Sequence, residues 1–334
     1  MSFAPYPPPE ALTALLREKR SFRLATHVNP DADGLGSLLG LGLALAAAGK
    51  QVAMVRHEDG PTAFQHLPGY ARAERVSELQ KKAEVLVLFD CHEVSRIGPA
   101  AQGLTGEEMI VVIDHHLTED GGGDGELEWL EPRAAASAAL VHSLVSSMKE
   151  LELSSEVASC LYAGLITDTG GFRFSNTDAT TLRVGADLVE HGADAAFLAD
   201  AFLHQRTPAT LRLLARVLDS FQYLLDGRVV FAEMTRAMCE QTGGRMEDTE
   251  GFVNFATSAK GVKLVALFKE EPEGGWRLSL RGNEPYDVRN IAKIFGGGGH
   301  ARAAGCTLQG ELEEVKKRIA AAFGEELARG GASG

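Results

Sequence analysis

The chain has 334 residues, 45% of them apolar and 24% charged, and a formal charge of −13. That length suits two domains and that balance an ordinary globular protein. The acidity, without a long basic run, excludes a protein that grips a long duplex through many phosphates. A small anionic substrate held by metal ions stays compatible, because the ions bring their own positive charge.

In chain order, Met1 to Glu10 is proline-rich and has no basic segment leading into an apolar one, so no signal peptide is expected. Phe22 to Thr26 predicts a strand, Gly34 to Ala48 the helix after it, and Gln51 to Val55 a second strand, with Gly49 as the helix stop. Leu35 to Ala48 is the most apolar stretch. At about 14 residues it is short of the roughly 20 that span a bilayer, so it reads as a buried helix and no membrane partner is expected. Glu84 to Phe89 and Met109 to Ile113 are continuous apolar runs, as in central strands of a parallel sheet covered on both faces. Thr118 to Glu128 is rich in Gly and acids and reads as a solvated loop; its acidic spacing does not fit a calcium loop. Helices are expected at about Ala135 to Lys149, Ser155 to Ile166 and Ala179 to Glu190.

This alternation predicts an α/β fold with a parallel sheet over residues 1–193. From Asp194 the chain is helical and charged, with Pro208 opening a new segment after Thr207, and residues 194–226 read as a helical connector. Strands at Arg228 to Glu233, Val262 to Lys269 and Trp276 to Arg281, interleaved with helices, predict a smaller α+β domain over 227–330. Cys91, Cys160, Cys239 and Cys306 form no C-x-x-C pair, which fits reduced thiols in a cytoplasmic protein.

Four clusters of acids and histidines fall at the ends of predicted elements: His27-x-x-x-Asp31-x-Asp33, then Asp90, then Asp114-His115-His116, then Asp168. Open parallel sheets bind ligands at the carboxyl ends of their strands, so the first three lie where a site belongs. Gly34 and Gly36 let the backbone turn tightly into the next helix. Asp90 alone could equally be a helix cap or turn former; its company gives it weight. The donors are oxygen and nitrogen without thiolate, which suits Mn2+, Mg2+ or Fe2+ better than structural zinc. An aspartate shared between two ions is a common device of two-metal phosphoryl hydrolysis. His57, His66, His92, His142, His191 and His204 lack such neighbours and read as surface or structural residues. Phe252 and Phe255 read as core rather than as base-stacking groups.

These clusters resemble motifs I to IV of the DHH phosphoesterase superfamily, and the likeness runs over nearly the whole chain. Phe295 to Gly305, with four glycines before His300, resembles the signature of the DHHA1 domain, the usual partner. Stand-alone chains of this kind are similar to the bacterial NrnA-type enzymes. The resemblance implies hydrolysis of short oligoribonucleotides, removal of the 3′-phosphate from adenosine 3′,5′-bisphosphate (pAp), or both. The alternatives it leaves are a phosphodiesterase of linear or cyclic dinucleotides such as pApA or c-di-AMP, and a nucleotide sensor without turnover. It implies two divalent ions, Mn2+ first among them, and as partner a short single-stranded RNA or small nucleotide; a homodimer stays open. His27 and Asp31 would bind one ion, Asp33, His115 and Asp168 the other, and Asp90 both. Asp114 would orient a histidine, and His116, counted with Asp90 as catalytic, would face the scissile phosphate. Arg281, Arg302, His300 and the backbone of Gly297, Gly298 and Gly299, read as an anion nest, would bind substrate phosphate. The family often has Ser after that arginine, where this chain has Gly282, which leaves the pocket's detail open.

Overall fold

The computed structural model describes residues 3–57, 60–78, 83–102, 104–116, 122–249, 251–299 and 301–330. The chain divides into two compact units, Met1–Gln205 and Arg206–Gly334.

The first unit runs α1 (Glu10–Glu18), β1 (Ser21–Thr26), α2 (Ala32–Ala47), β2 (Gln51–Arg56), β3 (Glu74–Arg75), β4 (Val85–Phe89), β5 (Met109–Asp114), β6 (Leu127–Leu130), α3 (Ser137–Ser147), α4 (Ser155–Asp168), α5 (Ala179–Glu190) and α6 (Ala195–Ala199). Its strands form one sheet in the order β3-β2-β1-β4-β5-β6, and every pairing is parallel. The apolar runs explain why: all five residues of β4 are buried, as a strand covered on both faces requires. The strand order reverses between β1 and β4, the topological switch point where open sheets of this kind bind ligands. The register matters for the site. Thr26 stands opposite Phe89, and Phe89 opposite Ile113, so β1, β4 and β5 reach their carboxyl ends at one level.

Residues 32–45 of α2 are buried throughout, as its apolar composition predicts. Glycines bring α2 close against α4: a Cβ at Gly36 would lie 2.4 Å from the Cys160 carbonyl oxygen.

The second unit runs α7 (Pro208–Asp219), β7 (Gln222–Leu224), β8 (Val229–Met234), α8 (Arg236–Thr242), α9 (Phe252–Thr257), β9 (Leu264–Glu270), β10 (Trp276–Gly282), α10 (Val288–Ile294), β11 (Gly298–Gly299), β12 (Ala303–Leu308) and α11 (Leu312–Gly330). Its sheet has the order β11-β12-β10-β9-β8-β7; β8 and β9 are parallel and the other pairs antiparallel. Alternate residues of β9 serve two cores. Leu264, Ala266 and Phe268 pack with residues of α10 and α11, and Val265 and Leu267 with residues of α7 and α9.

The stretch 194–226 is divided between the units. Residues 195–204 belong to the first and α7 to the second, where Thr207 caps the helix by accepting the Thr210 N–H at 3.1 Å. The loop expected over Thr118 to Glu128 gives way to strand at Leu127, because β6 pairs with β5 along the sheet edge; residues 117–121 lie outside the described residues. No helix among the described residues is long and apolar enough to cross a membrane.

Candidate metal centre

The turn from β1 into α2 is built by Asp31. Its Oδ1 accepts the N–H groups of Asp33 and Gly34 at 3.0 and 2.9 Å, which caps α2 and fixes the loop. Gly34 is required by closeness, since a Cβ there would lie 2.2 Å from Thr26 Oγ1. Asp33, one residue into the helix, is buried, and its two oxygens accept the N–H groups of Ser137 and Ala138 at the start of α3.

Asp90 follows β4 in the left-handed region, at φ 58°, a conformation that Asp tolerates better than most residues. Its Oδ2 lies 3.4 Å from His27 Nε2, and its Oδ1 lies 3.4 Å from His115 Nε2. Ser137 Oγ donates to the same Oδ1 at 3.1 Å. His115 Nε2 is also 3.5 Å from Asp168 Oδ2, on the last residue of α4, and 3.8 Å from Asp33 Oδ2. The other ring nitrogen of His115 is 3.2 Å from the Ala134 carbonyl, which aims Nε2 at the carboxylates.

His116 points differently. Its Nδ1 is 2.6 Å from Asp114 Oδ1, which also accepts the His116 backbone N–H at 3.0 Å. The same Nδ1 lies 3.5 Å from Asp90 Oδ1, so Asp114 and Asp90 both face one edge of the ring.

Three sets of side chains bring ligand atoms within 4.8 Å of one another: His27, Asp31 and Asp90; Asp33, His115 and Asp168; and Asp90, His115 and His116. Each could hold a cation. The electrostatics agree. Burial, then the Asp90 charge, push the Asp33 carboxyl well above the usual carboxylate range. Burial outweighs His115 at Asp168 and, with Asp31 and Asp90, raises it to about 6. Burial works against ionised Asp90, yet His116, His115 and His27 hold it well below the usual range. Burial likewise opposes a charged His27, but Asp90 and Asp31 raise it to about 9. His115 and His116 are raised against burial as well, His115 chiefly by Asp90 and Asp168, His116 by Asp90 and Asp114. Without ions, protons gather where cations would bind, which is how a carboxylate–imidazole metal site behaves.

In the second unit, Arg281 stands near the end of β10, with Nε donating to Asn254 Oδ1 at 3.2 Å. Arg302 donates to the Tyr286 carbonyl and pairs with Glu284 at 3.1 Å. His300 lies outside the described residues. The glycines expected to form an anion nest lie between α10 and β12. The N–H groups of Gly296 and Gly297 donate to Lys293 and Ala292 carbonyls and close α10, while Gly298 and Gly299 pair with Gly305 and Ala304. The close approach that bare glycine permits is to β12: a Cβ at Gly297 would lie 2.0 Å from the Gly305 carbonyl oxygen. Phe252 is buried as expected, but Phe255 is 40% exposed.

Residues 21–165 match the model described as DHH family, N-terminal domain, and residues 226–328 match the DHHA1 domain. The chain belongs to the DHH phosphoesterases. These enzymes are metal-dependent, in keeping with the clusters above. This DHH chain is 36% identical to the bifunctional oligoribonuclease and PAP phosphatase NrnA of Thermus thermophilus, over 92% of this chain and 90% of that one. It is 26% identical to the protein of the same name from Bacillus subtilis, over 85% of this chain and 88% of that one. It is also similar to the crystal structure of an exopolyphosphatase-related protein from Bacteroides fragilis, with a TM-score of 0.84 and 25% identity over 95% of each chain.

One residue set aside in the sequence belongs with the DHH triplet. His92 Nδ1 is 3.2 Å from Asp114 Oδ2. Spacing alone could not show this, because the contact joins the ends of two neighbouring strands 22 positions apart.

Proposed function

We propose that this phosphoesterase hydrolyses short oligoribonucleotides and removes the 3′-phosphate of pAp, using two divalent ions. The observation that carries this reading is the position of Asp90, whose two oxygens face different histidines, His27 and His115, in different ligand sets. A carboxylate so placed suits a bridge between two ions. His27 and Asp31 complete one ion's ligands, and Asp33, His115 and Asp168 the other's. Mn2+ is the ion we favour, since mixed carboxylate and imidazole donors suit it. Bound there, the ions supply a water of lowered pKa and positive charge for the phosphoryl oxygens. His116, held through Nδ1, offers Nε2 to the phosphoryl or leaving oxygen. Arg281 and Arg302, with His300 and the backbone of Gly298 and Gly299, recognise a substrate phosphate. Cations confined to such points let a protein of charge −13 take a short RNA and refuse a long one. The four thiols are unpaired, as in a reducing compartment such as the cytoplasm.

The test is an assay with added Mn2+ that compares pAp, a 5′-labelled RNA series from dimer to pentamer, and c-di-AMP. Turnover of pAp and the shortest RNAs is expected, with little of c-di-AMP. Preferred hydrolysis of c-di-AMP would replace this reading with the dinucleotide one.

A further inference from the structure

The acidic, glycine-rich segment and His92, neither of which holds an ion in the reading above, meet at one point. Asp114 is fully buried, so each oxygen of its carboxylate needs a partner. Oδ1 accepts from the backbone and the ring of His116, and Oδ2 lies 3.2 Å from His92 Nδ1. The His92 ring thereby fixes the rotation of the carboxylate and keeps Oδ1 aimed at His116.

The backbone of His92 is itself held. Its carbonyl accepts the Asp124 N–H at 2.9 Å, and Asp124 Oδ2 accepts the Val94 N–H at 2.7 Å. Gly123 makes this possible, since a Cβ there would lie 2.0 Å from the His92 carbonyl oxygen. Residues 123 and 124 are thus a clamp on the turn that carries His92.

We infer that His92 is a positioning residue for His116, acting through Asp114, with Gly123 and Asp124 holding it in place. The inference rests on the reading that His116 serves the substrate. An outer partner of this kind is worth roughly 10- to 100-fold in activity. Because it orients a group that acts in the transition state, its loss falls on kcat rather than KM.

The experiment uses the full chain loaded with Mn2+ and a 5′-labelled RNA dimer. His92→Ala should lower kcat by roughly 10- to 100-fold with KM little changed and both ions retained. His92→Asn, whose side-chain N–H can still donate to Asp114, should recover part of the loss. In a His116→Ala background, His92→Ala should lower kcat no further, since a residue acting through another then has nothing to act on. Gly123→Ala should give a milder kcat loss, and a normal kcat would overturn the part given to the clamp. Unchanged kcat in His92→Ala, full additivity with His116→Ala, or lost ions and a lower melting temperature in both His92 variants would each overturn the inference. Normal turnover in His116→Ala alone would overturn the underlying reading, a result the other arms cannot mimic.

Discussion

Asp33 caps a helix that begins 104 residues later in the chain: its Oδ2 accepts the Ser137 N–H at 2.7 Å. Its Oδ1 accepts from Ala138 at 2.9 Å, while Ala136, the residue in the cap position of α3, supplies no side-chain bond. Asp33→Ala should therefore destabilise the chain even without ions, by about 1–3 kcal/mol for each donor left bare. Asp33→Asn keeps an acceptor and should lose less. Denaturant unfolding of the metal-free variants, followed in the first unit, checks this; wild-type stability in Asp33→Ala would show the cap to be dispensable.

Asp90 allows chemistry to be separated from folding. Asn tolerates a positive φ about as well as Asp, so Asp90→Asn should fold normally at φ 58°. Without the second anionic oxygen it should bind ions poorly and lose more than about a hundredfold in kcat, beyond what an outer partner contributes. Metal analysis of the dialysed protein beside its circular dichroism decides the matter.

His27 makes the metal-free chain sensitive to pH. Its carboxylate neighbours, outweighing burial, raise it from 6.5 to about 9. A folded value above the unfolded one gives stability that is complete below about pH 6.5 and is lost as pH rises through about 9. Asp168, raised to about 6, acts in the same direction at lower pH. The chelated protein should melt at a lower temperature at pH 9 than at pH 6.5. His27→Gln should flatten that slope, and saturating Mn2+, which displaces the proton, should remove it. Equal slopes in the chelated wild type and His27→Gln would refute the assignment.

Arg281→Ala should raise KM for an RNA dimer by roughly 10- to 100-fold, since a hydrogen bond to a charged group contributes about 1.5–3 kcal/mol. Its metal content should not change. Arg302→Ala should raise KM as well, with its pairing to Glu284 lost. Steady-state kinetics on both variants check this, and an unchanged KM in either would remove that arginine from the phosphate site.

What could be read in the sequence was what local pattern controls. Apolar runs marked β4 and β5, and Pro208 after Thr207 marked the start of α7. The clusters at strand ends were visible because a parallel sheet collects such ends at one edge. What stayed hidden depended on distant partners. Nothing near Asp33 announces that it caps α3, and nothing near His92 points to Asp114. Nothing within the glycine run shows that the amides of Gly296 and Gly297 close α10 or that Gly298 and Gly299 pair with β12. The three-residue β7 and two-residue β11 were too short to show a period.

The chain order of the ligands has a consequence for biosynthesis. His27, Asp31 and Asp90 all lie within the first 90 residues, whereas the set of Asp33, His115 and Asp168 is completed only by the last residue of α4. At about 5–20 residues per second, a ribosome takes on the order of 4–16 seconds to travel from the one to the other. The two proposed ion sites are therefore not born together: a nascent chain carries one finished set of donors while two of the three residues of the other have yet to be made.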